Sequence, residues 1–171
     1  MGLIENKLRW CIKKAEKEGV KHRGLKKVEP DIEKANSHIS KAQHNLKVMI
    51  YLIEGNFLDW AVSASFYSMY HCLLAILAKF GYESRNQECT LTAVEHLINN
   101  KMIEIDINWL KKIAAFDIEQ KEEKDILTLR EDFQYGTITV LENSKVKQLE
   151  NDTMEFIEIV REALKKEIVS E

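Results

Sequence analysis

One proline in 171 residues, and only six glycines, leave the chain poor in the residues that make tight turns and break helices. That excludes an all-β sandwich or barrel built on frequent short hairpins, and it predicts an all-α protein. Cysteine is scarce too: Cys11, Cys72 and Cys89 are odd in number and scattered, which argues against a disulfide framework and fits a reducing, cytoplasmic setting. No signal peptide stands at the start, because "MGLIENKLRWCIKKAEKEG" is charged and amphipathic throughout. At this length one domain is expected, spanning 1–171, with a basic N-terminal helix and loop over 1–30 and a core bundle over 31–171. Net charge is low, at −3, but it is unevenly spread. Residues 1–30 hold nine Lys/Arg against four Asp/Glu, a balance of +5 that leaves −8 for the rest. The basic stretch "VKHRGLKK" (Val20 to Lys27) reads either as a solvated face or as a phosphate contact.

What is abundant is apolar spacing of helical period. Leu3, Ile4, Leu8, Ile12 and Ala15 form one face, and Gly19 to Pro30 interrupts it. Asp31 then sits in the first turn of a long amphipathic helix whose stripe runs Ile32, Ala35, Ile39, Ala42, Leu46, Met49 and Ile53. "EGN" ends that helix. From Trp60 to Ala78 no residue is charged, a length close to the ~20 residues that cross a bilayer. Ser63, Ser65, Ser68 and His71 interrupt the run, however, and the other helices each have a polar face, so a central bundle helix is expected rather than a membrane span. Gly81 suits its left-handed cap. Thr92 and Glu95 have capping-box spacing before "VEHLI". Asp106 can cap a helix carrying Ile107, Leu110, Ile113 and Ile118. "EQKEEK" leads into Ile126, Leu129 and Phe133, Gly136 interrupts that element, and a last stripe runs Val146, Leu149, Phe156, Val160 and Leu164. Short connections make this an antiparallel up-and-down helical bundle of five to seven segments, with short additional helices.

Metal chemistry is disfavoured. There is no Glu-x-x-His for a di-metal bundle, His38 and His44 point apart on a helix, and Cys89 with His96 lacks a second pair for zinc. Gly-rich phosphate loops, Gly-x-Ser-x-Gly elbows and His-Glu-x-x-His are absent as well, so neither metal nor cofactor is expected. Three places carry polar and aromatic groups. On the central helix Trp60, Ala64, Tyr67, His71, Leu74 and Ala78 share a face, and Tyr67 and His71 are one turn apart. They read as buried bundle residues or as a functional pair. "YESRNQECT" presents Arg85 and Asn86 after a helix end, where loops carry function, although Arg85 equally suits the helix terminus. "LREDFQYG" holds Arg130, Glu131, Asp132 and Tyr135. Arg130 and Tyr135 lie ~140° apart on an ideal helix, so they meet only if the helix breaks at Gly136. Arg130 would then take a phosphate and Tyr135 a base. The structural alternative pairs Arg130 with a bundle carboxylate and lays Tyr135 on the core edge.

"DWAVSASFYSMYHCLLAILAKFGYESRNQECT", followed by a charged helix and "LREDFQYG", resembles the HEPN family of small prokaryotic all-α proteins, from about Asp31 to Lys165. Its Tyr-x-x-Tyr-His segment is the most specific part. The resemblance implies a bundle that tends to homodimerise and works beside minimal nucleotidyltransferases. In many members it also implies a metal-independent endoribonuclease of toxin–antitoxin or defence systems. Active members carry an Arg followed four to six residues later by a His. Here Arg130 matches the Arg and Tyr135 stands in the histidine's place. With reference pKa values of about 10 and 6.5, tyrosine does not shuttle protons near neutrality as imidazole does. Some relatives also place a His in the loop after the central helix, where this chain has Gln87. The resemblance thus implies a nucleotide- or RNA-associated protein with a nucleotidyltransferase-like partner. Arg130, Glu131, Tyr135, Arg85, Asn86 and Tyr67 would bind the ligand. An active endoribonuclease using Arg130 with His71 or Tyr135 and a non-enzymatic dimerisation subunit are the alternatives.

Overall fold

The computed structural model describes residues 2–114, 126–137 and 139–166. Among the described residues seven α-helices follow one another: α1 (Leu3–Glu18), α2 (Ile32–Glu54), α3 (Leu58–Lys79), α4 (Gln87–Asn99), α5 (Asn108–Ile113), α6 (Ile126–Tyr135) and α7 (Asn143–Lys165). The all-α architecture expected from composition is what the chain adopts. Two three-residue strands, β1 (Leu25–Lys27) and β2 (Tyr82–Ser84), pair antiparallel with Leu25 opposite Ser84 and Lys27 opposite Tyr82. Strands this short have no readable period, and they tie the N-terminal segment to the turn after α3. The expected Ile118 on the fifth helix and the "EQKEEK" segment lie outside the described residues.

α3 is the central element, packed against α2, α4, α6 and α7. It is long and apolar enough to cross a membrane, and most of its side chains are spent on the bundle core: Phe66, Met69, Leu73, Ile76 and Leu77 are essentially inaccessible. Two of its serines have interhelical work. Ser68 Oγ donates to Ala42 O of α2 at 2.7 Å, and Ser65 Oγ meets Thr153 Oγ1 of α7 at the same distance. Small hydroxyl residues let the helices approach closely, and both of these buried hydroxyls are paired. At the end of α3 the buried Lys79 Nζ donates to Leu164 O (2.8 Å) and to Lys166 O, satisfying carbonyls at the C-terminus of α7.

Caps follow local chemistry. Asp31 Oδ1 accepts from Lys34 N at 2.8 Å to open α2. Gly81 has φ +75°, the left-handed cap expected of it, and a Cβ there would lie 2.6 Å from Val28 O. The capping box expected at Thr92 does not form. α4 starts earlier, with Asn86 Oδ1 accepting from Cys89 N (2.9 Å), and Thr92 lies inside the helix with its hydroxyl donating to Glu88 O. The cysteine reading is also corrected: Cys11 of α1 and Cys89 of α4 form a disulfide, and Cys72 alone is free. Sequence distance hid the pair, because α1 folds back onto α4 and brings together residues 78 positions apart.

Candidate functional site

α6 buries Ile126, Arg130 and Phe133, spaced i, i+4 and i+7, against α3. Arg130 therefore enters the protein as part of a packing face, only 7% exposed. Its guanidinium carbon lies 4.8 Å from the centre of the Phe66 ring and 5.8 Å from that of Tyr67, so the cation rests on aromatic faces. Nη1 donates to Tyr67 Oη at 3.2 Å, and Nη2 reaches Glu131 Oε1 at a long 3.5 Å. Nε has no partner among the described residues. A buried guanidinium usually sits with a buried carboxylate. Among the described residues the one carboxylate in contact is half-exposed and weakly placed, so Arg130 keeps unspent hydrogen-bonding capacity beneath a solvent-reaching tyrosine.

Tyr67 belongs to the least covered line of α3, which runs through Trp60, Ala64, Tyr67, His71 and Leu74. Trp60 is 58% and Tyr67 39% exposed. Beside that line α2 presents Lys34, His38 and Lys41, one turn apart in succession, with both lysines exposed. His38 Nδ1 lies 3.0 Å from His71 Nδ1. Burial lowers the pKa of both imidazoles; His38 and Lys41 depress His71 further, to about 4, and Lys34 acts on His38. Both rings are neutral near pH 7. The site is thus a seam of two aromatic rings, two neutral imidazoles and three cations.

Several expected site residues go elsewhere. Tyr135 is 77% exposed, while Arg130 is buried on the same unbroken helix. The break at Gly136 falls after Tyr135, too late to swing the two together, so they do not form one site. Tyr67 and His71 are not each other's partners: Tyr67 takes Arg130 and His71 takes His38. Arg85 anchors the N-terminal segment, with Nη1 donating to Val20 O and Nη2 pairing with Glu83, each at 2.9 Å. Asn86 is a helix cap. Both are committed to local structure rather than to the seam. Phe66 and His38 were not singled out from sequence as site residues, since contacts across helices leave no local spacing. No group of three or more metal-ligating side chains occurs among the described residues.

The HEPN domain family model matches residues 35–164, which include nearly all of α2, all of α3 and α6, and nearly all of α7. The chain belongs to the HEPN family. The match holds Arg130, Tyr67, His38 and His71, whereas α1 and β1 lie before it. No curated protein matches the chain's sequence.

Proposed function

We propose that this HEPN protein binds RNA or a nucleotide along the open line of α3. In this reading a phosphate is drawn to Arg130 and bases stack on Tyr67 and Trp60. The observation that carries it is the Arg130 guanidinium, buried, free of a buried counter-ion and unpaired at Nε among the described residues. An anionic ligand supplies the missing charge, and its oxygens can replace the long Glu131 contact. Tyr67, with its oxygen accepting from Arg130, can turn its own proton toward the ligand. Exposed aromatics beside Lys34 and Lys41 match the stacking-plus-cation pattern of single-strand binders. Family membership supports the wider setting we assign, in which a nucleotidyltransferase-like protein is the partner in a toxin–antitoxin or defence system. Co-purification with the neighbouring gene product tests that part.

Fluorescence anisotropy with a labelled single-stranded RNA, and with ATP as competitor, tests the binding. Arg130→Met keeps the apolar stem and removes the charge. It should weaken binding roughly 10- to 100-fold, as expected for loss of about 1.5–3 kcal/mol of charged hydrogen bonding. Circular dichroism should be unchanged. Equal affinities for the two proteins would sink the assignment.

A further inference from the structure

Between the second half of α1 and the β1–β2 ribbon lies a cleft of about 570 Å³, a volume suited to a small molecule. It is separate from the α3 seam, and apart from Glu83 and Arg85 its lining precedes the residues that the HEPN model matches. Ile12, Ala15, Val20 and Leu25 give it an apolar wall. His22, from the basic stretch "VKHRGLKK", also lines it and is only 2% exposed. Its Nδ1 accepts from Gly24 N at 3.3 Å, so the ring hydrogen sits on Nε2. That Nε2 makes no hydrogen bond among the described residues. A buried donor calls for an acceptor.

The nearest acidic group serves it poorly. Glu83 Oε1 lies 3.4 Å from His22 Nε2, off the direction a hydrogen bond needs, and 2.9 Å from Arg85 Nη2, while Oε2 is 3.8 Å from Lys34 Nζ. Two oxygens thus face three donors, brought in by the loop after α1, the first turn of α2 and the residue after β2. Only the Arg85 contact is close. In the lining beside them Lys26 and Lys27 are exposed and have no ion-pair partner among the described residues. Against these cations the cleft sets one further carboxylate, that of the exposed Glu16.

We infer that this cleft binds a small phosphate monoester, whose phosphoryl group takes the place of the Glu83 carboxylate and whose apolar body lies along Ile12, Ala15, Val20 and Leu25. Three terminal oxygens give His22, Arg85 and Lys34 an acceptor each, which a carboxylate does not. The charge of a monoester, close to −2 near neutrality, also meets Lys26 and Lys27. Glu83 stands on a three-residue strand and is partly exposed, so its side chain can turn out to solvent as the ligand enters. Until then it acts as an internal stand-in that competes with the ligand. A ligand carboxylate merely reproduces what Glu83 already offers.

Isothermal titration calorimetry on the full chain, with phenyl phosphate as the probe, tests the site. Inorganic phosphate lacks the apolar body and benzoate lacks the third oxygen, and each should bind at least ~10-fold more weakly. Glu83→Ala removes the competitor and should tighten phenyl phosphate binding about 10-fold. A merely structural ion pair would lower the melting temperature on removal without raising affinity. His22→Phe keeps a ring and removes the donor, and should weaken binding about 10-fold or more. Nitrogen NMR of wild type needs no substitution: the His22 Nε2 resonance should carry the hydrogen and move on adding phenyl phosphate. Arg130→Met should bind phenyl phosphate as wild type does, whatever becomes of RNA binding. The inference is overturned if millimolar phenyl phosphate gives no binding, if benzoate binds equally well, if Glu83→Ala fails to tighten binding, or if the His22 resonance stays put. Loss of phenyl phosphate binding in Arg130→Met would overturn it too, by placing the phosphate on the α3 seam.

Discussion

His71 shows how one residue's surroundings set both chemistry and stability. Its folded pKa of about 4 lies below the 6.5 of an exposed imidazole, so the unfolded chain binds the proton more readily. His38 shifts in the same direction. The stability this represents is fully present above about pH 6.5 and is lost as pH falls toward 4. The urea midpoint of wild type should therefore drop between about pH 7 and pH 4.5. A His38→Gln/His71→Gln double variant should show a smaller drop over the same interval. Equal drops would mean that other groups carry the acid sensitivity. Sequence alone marked Arg130, Tyr67 and His71 as candidates, and they do lie along one seam. It joined them wrongly, because spacing reports neighbours on one helix, whereas Tyr67 takes its partner from α6 and His71 takes its own from α2.

At the scale of the elements, the stripes of α1, α2 and α7 were legible because one buried face repeats every three or four residues. α3 was legible for the opposite reason, since a charge-free run marks a helix covered on several sides. The start of α4 was misread. Thr92 and Glu95 have the right spacing for a cap, but Asn86 also has cap chemistry, and β2 ends just before it. That choice bears on function, since Asn86 belonged to the expected ligand set. As a cap it accepts from Cys89 N, so Asn86→Ala should cost about 1 kcal/mol of stability and leave RNA affinity unchanged. Denaturant unfolding alongside anisotropy separates the two roles. Weaker RNA binding at unchanged stability would return Asn86 to the ligand site.

Across the whole molecule, the HEPN match begins at residue 35, and the segment before it is fastened onto the shared bundle by several distinct ties. Lys7 Nζ meets Glu88 at 2.8 Å, Arg85 holds Val20 O, β1 pairs with β2, and Cys11 is bonded to Cys89. Gly24 allows this closeness: a Cβ there would lie 2.5 Å from Cys11 O, so the strand's approach to α1 admits no side chain. Of these ties the polar ones are largely solvent-exposed and individually weak. The disulfide closes a loop of 78 residues, for which chain entropy gives a stabilisation of about 4.5 kcal/mol. Reduction should therefore act unevenly. Amide exchange in α1 and β1 should accelerate sharply on adding dithiothreitol, while α3 and α7, whose contacts do not pass through Cys11, keep most of their protection. Uniform acceleration would mean that the N-terminal segment and the bundle unfold as one cooperative unit. No change would mean that the buried face of Leu8, Cys11 and Ala15 holds α1 in place without the covalent bond.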